Sequence, residues 1–284
     1  MERLQAAIEK ARAQREDTRP EYTPPPPMQQ QGTASAVESA VEGNGVDAAW
    51  AALRPLDTSR PAYSKQGDLI ALHPGGPGAA YDILRTRLVQ QAETHGWRRI
   101  AVISAGAAAG KTTTVANLAF SLARQSDYRS LVIDFDLRRV TLAHALDQKV
   151  SHTMEDVIEG RVPFSEHALR YGDNVAFGLN GQTVRHPAEL LQSQRTKTAL
   201  AEIEAQYKPN FTIFDLPPLF TGDDSIGFLR NVDCALIVVA AEETPMSQID
   251  TAERQVSELT QVMGVVLNKC RITSDDYSYD YSGY

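Results

Sequence analysis

The stretch Ser104-Ala-Gly-Ala-Ala-Ala-Gly-Lys-Thr-Thr-Thr114 decides how this chain is read. Before it, Trp97 to Ser104 carries a β-branched run expected to form a strand. After it, Val115, Leu118, Ala119 and Leu122 recur at helical spacing. A strand, a small-residue loop and a helix opening on Gly-Lys-Thr is the layout of a phosphate-binding loop. Backbone N–H groups in such a loop converge on one point, and the helix dipole favours an anion there. The expected phosphate cradle is Gly106, Ala107, Ala108, Ala109, Gly110, Lys111, Thr112 and Thr113. Lys111 is a mobile point charge for the outer phosphates, and Thr112 offers a hydroxyl to Mg²⁺. The full pattern has Gly five residues before Gly110, where this chain has Ala105. The competing reading is a helix N-terminus that carries Gly-Lys-Thr by chance.

Two downstream strands favour the phosphate loop. Ser130-Leu-Val-Ile-Asp-Phe-Asp-Leu-Arg-Arg139 ends in two carboxylates, Asp134 and Asp136. Two residues apart, they point to one side of the strand at its carboxyl end, where ligands bind in open parallel sheets. Adjacent carboxylates repel unless a cation lies between them, and Mg²⁺ takes oxygen ligands. Phe211-Thr-Ile-Phe-Asp-Leu-Pro-Pro218 also ends in an acid, Asp215, expected to hold Mg²⁺ or its water. Asp223 and Asp224 are expected to cap the next helix. Asn268 closes the last core strand, Gly264 to Lys269; it either bonds an adenine edge or makes structural bonds only.

The remaining core elements follow the same βα alternation. Helices are expected over 79–94, 153–160, 186–205 and 248–262, and strands over 175–179 and 233–240. The fold class is therefore α/β, a parallel sheet like that of phosphate-loop NTPases with helices on both faces. A long disordered N-terminal segment precedes it. Residues 1–16 read as a narrow amphipathic helix. From Arg19 to about Gly75 the chain holds Pro24 to Pro27 and a glutamine run, the composition of a linker, with a helical turn read at Ala48 to Leu53. The expected divisions are 1–77, helix and linker; 78–272, the nucleotide domain; and 273–284, a mobile tail.

That tail, Asp275-Asp-Tyr-Ser-Tyr-Asp-Tyr-Ser-Gly-Tyr284, holds four of the ten tyrosines. Its Ser, Asp and Gly neighbours cannot build a core around them. Tyr277, Tyr279, Tyr281 and Tyr284 read as exposed phosphate acceptors beside an ATP site. The net charge of −8 argues against nucleic acid as a partner. Cys234 and Cys270 have neither metal nor redox spacing. No apolar run reaches the ~20 residues of a membrane span, and the N-terminus is no secretory signal, so a cytoplasmic location is expected.

From about Gly78 to Tyr284 the chain resembles the bacterial tyrosine autokinases of capsule and exopolysaccharide synthesis. The first phosphate motif matches Gly106 to Thr112. The Asp-x-Asp-Leu-Arg motif matches Asp134, Asp136 and Arg138, and the Asp-x-Pro-Pro motif matches Asp215 to Pro218, with Asp224 beyond. Pro187 to Ser193 and the tyrosine cluster complete the match. The resemblance implies Mg-ATP as phosphate donor and Asp134, Asp136 and Lys111 as catalytic residues, with Asp136 taking the tyrosine proton. It implies Thr112, Asp134 and Asp215 around Mg²⁺. It also implies a homo-oligomer, activated at the inner face of the membrane by a polysaccharide co-polymerase or chain-length protein. The family's ring motif, Glu-x-x-Arg-x-x-Arg, falls on Ala79, Asp82 and Arg85, so only its last residue is kept. Two other readings remain: a weak or inactive adaptor of the polysaccharide machinery, and a partitioning-type ATPase.

Overall fold

In the computed structural model, residues 45–60 and 68–270 are described. The expected helix over 1–16, most of the proline-rich linker and the tyrosine tail lie outside them. Eight strands form one sheet: β1 (Arg54–Pro55), β2 (Arg99–Ile103), β3 (Ser130–Asp134), β4 (Leu169–Tyr171), β5 (Val175–Gly178), β6 (Phe211–Asp215), β7 (Cys234–Ala240) and β8 (Gln261–Asn268). Their order is β1-β4-β5-β3-β6-β2-β7-β8. Every pairing is parallel except β4 with β5.

Both faces of the central strands are buried, which explains their unbroken hydrophobicity. Along each strand the side chains alternate between two cores. One core takes Ala101, Ile103, Leu131, Ile133, Phe214 and Ile237. The other takes Ile100, Val102, Val132, Ile213, Leu236 and Val238. Two helices supply Leu88, Ala92, Val115, Leu118 and Leu122 to the second core: α1 (Ala79–His95) and α2 (Lys111–Ala123). The short helices α3 (Thr141–Ala145), α4 (Met154–Ile158) and α5 (Phe164–His167) lead to β4. The first core is covered by α6 (Pro187–Gln192), α7 (Gln194–Tyr207), α8 (Asp224–Phe228) and α9 (Met246–Ser257).

The structure differs from the sequence expectation at four places. The packed region begins before Gly78: residues 45–51 are helical, and Trp50 and Leu53 are 2% exposed in the first core. Trp50 Nε1 donates to the Tyr207 carbonyl at 2.8 Å, and the two rings meet edge-on. The single helix expected over 186–205 is two, because Ser193 is extended and its Oγ accepts from Thr196 N to start α7. The helix expected to Val262 stops at Ser257, and β8 begins three residues earlier than expected, at Gln261. Asp223 makes no side-chain cap; its neighbour Asp224 instead takes Arg138 in a two-pronged pair, at 2.6 and 3.2 Å.

The triplet Ala79, Asp82 and Arg85 lies on the first turns of α1. Asp82 accepts from Ser121 Oγ at 2.6 Å and pairs with Arg124, while Arg85 donates to the Ser121 carbonyl at 3.0 Å. These residues pin α1 onto α2 within one chain.

Candidate nucleotide and metal site

The loop between β2 and α2 is held from both ends. Ser104 Oγ donates to the Gly106 carbonyl at 2.6 Å. The Ser104 and Ala105 carbonyls accept from Leu219 N and Phe220 N at 2.8 and 3.1 Å. This ties the loop's start to the segment after β6. Ala108 and Gly110 are left-handed, at φ 62° and 87°. Gly110 has a second reason to lack a side chain: a Cβ there would lie 2.0 Å from Asn268 Nδ2. Asn268 Nδ2 donates to the Ala109 carbonyl at 2.9 Å. Of the two roles its sequence position allows, this geometry provides the structural one.

Lys111 opens α2 and is buried, at 7% exposure. Burial lowers its pKa, and the nearby Asp215 and Asp136 partly restore it. The carboxylates come together because β3 and β6 are neighbours, with Asp134 and Asp215 in register. Thr112 Oγ1 donates to Asp215 Oδ2 at 2.7 Å. Asp134, Asp136 and Asp215 are all buried. Burial, then the charges of Asp215 and Asp136, pushes Asp134 well above the usual carboxylate range. Burial raises Asp136 against the pull of Lys111 and Arg139. Burial raises Asp215 to about 7, opposed by Lys111 and the Thr112 hydrogen bond.

Each of these acids keeps one buried oxygen without a hydrogen-bond partner: Asp134 Oδ2, Asp136 Oδ1 and Asp215 Oδ1. Unsatisfied buried carboxylate oxygens are costly, and a hard cation with its waters is the group that satisfies them. The donors present therefore fit Mg²⁺. Among the described residues, no three His, Cys, Asp or Glu side chains form a ready metal cluster. Mg²⁺ usually takes one or two carboxylates and completes its shell with waters and phosphate oxygens.

Arg139 and Thr141 were not singled out by the sequence, and the pairing of Arg138 with Asp224 was not foreseen. Arg139 follows Arg138 and acts electrostatically on both Lys111 and Asp136. Thr141 Oγ1 lies 3.4 Å from Thr112 Oγ1, where it can donate to the hydroxyl that serves Asp215. The Arg138–Asp224 pair ties the turn after β3 to the start of α8. The doubled arginine in Asp-Leu-Arg-Arg was the available signal for Arg139. The other two contacts join distant segments and have none. A cavity of about 950 Å³ lies at the amino ends of β2, β6 and β7, opposite the loop, lined by Arg99, Glu204 and Asp233. Arg99 is paired with Glu204 at 2.6 Å and Asp233 accepts two backbone N–H groups, so these charges are already committed.

Residues 100–278 match the family described as the CobQ/CobB/MinD/ParA nucleotide binding domain. A putative tyrosine-protein kinase CapB of Staphylococcus aureus is 28% identical over 188 residues, covering 66% of this chain and 81% of that protein. The kinase domain of Escherichia coli tyrosine kinase ETK superposes with a TM-score of 0.65 at 24% identity, covering 76% of this chain and 84% of that one. Cobyrinic acid a,c-diamide synthase of Mycobacterium smegmatis, solved with an ATP analog and magnesium, superposes with a TM-score of 0.51 at 20% identity, covering 60% and 74%.

Proposed function

The chain belongs to the CobQ/CobB/MinD/ParA nucleotide-binding family, and from that premise we propose that it is a Mg-ATP-dependent protein-tyrosine kinase. Its proposed substrates are Tyr277, Tyr279, Tyr281 and Tyr284 of a neighbouring copy. The observation that carries this reading is the meeting of Lys111, Thr112 and three buried acids with unsatisfied oxygens at one loop. The similarity to proteins named tyrosine kinases supports the choice of phosphate acceptor.

The loop N–H groups and Lys111 hold the phosphates of ATP. Thr112, Asp134 and Asp215 would hold Mg²⁺, which neutralises charge on the transferring group. Asp136 takes the phenol proton as the tyrosine oxygen bonds to the γ-phosphorus and the bond to the departing ADP oxygen breaks. Burial raises its pKa, which makes it a stronger base than an exposed carboxylate. Each phosphate adds about −1.5 to −2 charges to an acidic segment, which would weaken contacts between neighbours. In the proposed setting this couples phosphorylation to assembly with a membrane polysaccharide co-polymerase. Asp82 and Arg85 are engaged within the chain and Ala79 has no side chain to pair, so the homo-oligomer would use other contacts. Among the described residues no helix is long and apolar enough to cross a membrane, so membrane contact would come through such a partner.

Asp136→Asn separates nucleotide binding from transfer. It should keep Mg-ATP affinity within a few-fold by calorimetry and lose ~100-fold or more of the phosphotyrosine rate, the usual size of a general-base effect. A transfer rate within threefold of the unaltered protein would remove Asp136 from the mechanism.

A further inference from the structure

A second basic site lies at the carboxyl end of the central strands, the end that also carries the phosphate loop, but beside the edge strand β1. A pocket of about 430 Å³ is lined by Arg54 of β1, Lys149 and His152 of the segment before α4, and Glu166 and His167 of α5. Arg54, Lys149 and His152 are exposed, and none has an ion-pair or side-chain hydrogen-bond partner among the described residues. Among the described residues, Glu166 is the only acid lining the pocket. The floor is His167, 2% exposed, whose Nε2 has no partner. Arg54 and His152, and with opposite sign Asp156, act electrostatically on that ring. In a chain of net charge −8, two unpaired cations and a histidine around one cavity are an exception.

We propose that this pocket is an anion site for a phosphorylated, acidic peptide, namely the 275–284 segment of a neighbouring copy after its tyrosines have been modified. This rests on the kinase reading for the origin of the phosphate. The volume suits one side chain with its phosphate and falls at the low end for a drug-sized ligand. The segment brings three aspartates and four tyrosines to a cationic rim. Sheet order decides between its own chain and a neighbour. β1 and β8 are opposite edges, ~34 Å apart at the usual strand spacing. From Cys270, a fully stretched chain carries Tyr277 only ~25 Å. Tyr279 also falls short, at ~32 Å, and Tyr281 reaches only near full extension, so of the four only Tyr284 has slack within its own chain. A neighbour's segment has no such limit. The site would retain the phosphorylated product on the partner and keep it out of the loop.

The test is fluorescence anisotropy with full-length, phosphatase-treated protein and a labelled peptide of residues 273–284 phosphorylated on its tyrosines. Binding should exceed that of the unphosphorylated peptide at least tenfold, survive saturating Mg-ATP, and be outcompeted by inorganic phosphate only at far higher concentration. Lys149→Glu with Arg54→Ala should weaken it tenfold or more, and Lys149→Arg should retain it. Unchanged binding in the double variant would overturn the proposal. So would full displacement by Mg-ATP, which would mean the peptide sits at the loop, or equal competition by free phosphate, which would mean an unselective anion site. None of these readouts requires transfer activity, so failure here and failure of the kinase reading are distinguishable.

Discussion

Asp215→Asn is the sharpest perturbation, because its sign on stability opposes its sign on function. Asp215 sits buried at the end of β6 with one oxygen bonded by Thr112 and the other unsatisfied. Burial raises its pKa from 3.8 to about 7. Below about pH 4 the carboxyl is protonated in folded and unfolded chains alike, and it makes no difference to stability. As pH rises from about 4 to 7 the unfolded chain releases a proton that the folded chain retains. Stability is lost across that window, reaching ~4 kcal/mol for a shift of about three units. Asparagine keeps the acceptor for Thr112 and removes the buried charge. It also strips Lys111 of its strongest neighbouring anion, which offsets part of the gain. The expected net effect in metal-free, nucleotide-free buffer at pH 8 is ~2 kcal/mol of stabilisation, a melting temperature higher by roughly 4–8 °C. At pH 4.5 the difference should vanish. Added Mg-ATP should raise the melting temperature of the unaltered protein and leave that of the variant unmoved. Thermal melts at both pH values read all of this. A variant less stable than its parent at pH 8 by as much as at pH 4.5 would refute the buried-charge account.

Two further substitutions probe the packing. Trp50→Ala should cost ~3–5 kcal/mol, the usual penalty for truncating a fully buried aromatic, if residues 45–56 belong to the core; urea unfolding measures it, and a cost under 1 kcal/mol would place the segment outside the cooperative unit. Ala108→Gly should stabilise the loop by ~0.5–1 kcal/mol, because a left-handed alanine is strained by ~1–2 kcal/mol and part of that relief is returned as unfolded-chain entropy. A lowered melting temperature in that variant would show that the backbone at Ala108 is not under strain.

The features legible in the sequence were local ones. The loop, the helix after it and the acid-ended strands each declare themselves within about ten residues, through β-branched runs, helical spacing and small residues. Parallel neighbours then bring Asp134 beside Asp215 without any further signal. What escaped was set by distant partners. Trp50 reads as part of a linker until Tyr207, 157 residues away, accepts its indole N–H. β4 is three residues, Leu-Arg-Tyr, too short to show alternation, and its pairing with β5 is antiparallel. Asp224 looks like a helix cap in sequence, and only the fold delivers Arg138 from 86 residues earlier. Ser193 marked a helix start inside an unbroken polar-apolar pattern, so the boundary was hidden by the periodicity on either side.

The most direct measurement is peptide mass spectrometry of the purified protein after incubation with Mg-ATP, beside Lys111→Met. Phosphate should accumulate on Tyr277, Tyr279, Tyr281 and Tyr284 of the unaltered chain and be absent from the variant. An unaltered chain that binds Mg-ATP and gains no phosphotyrosine, or equal labelling of the two proteins, would contradict the kinase assignment.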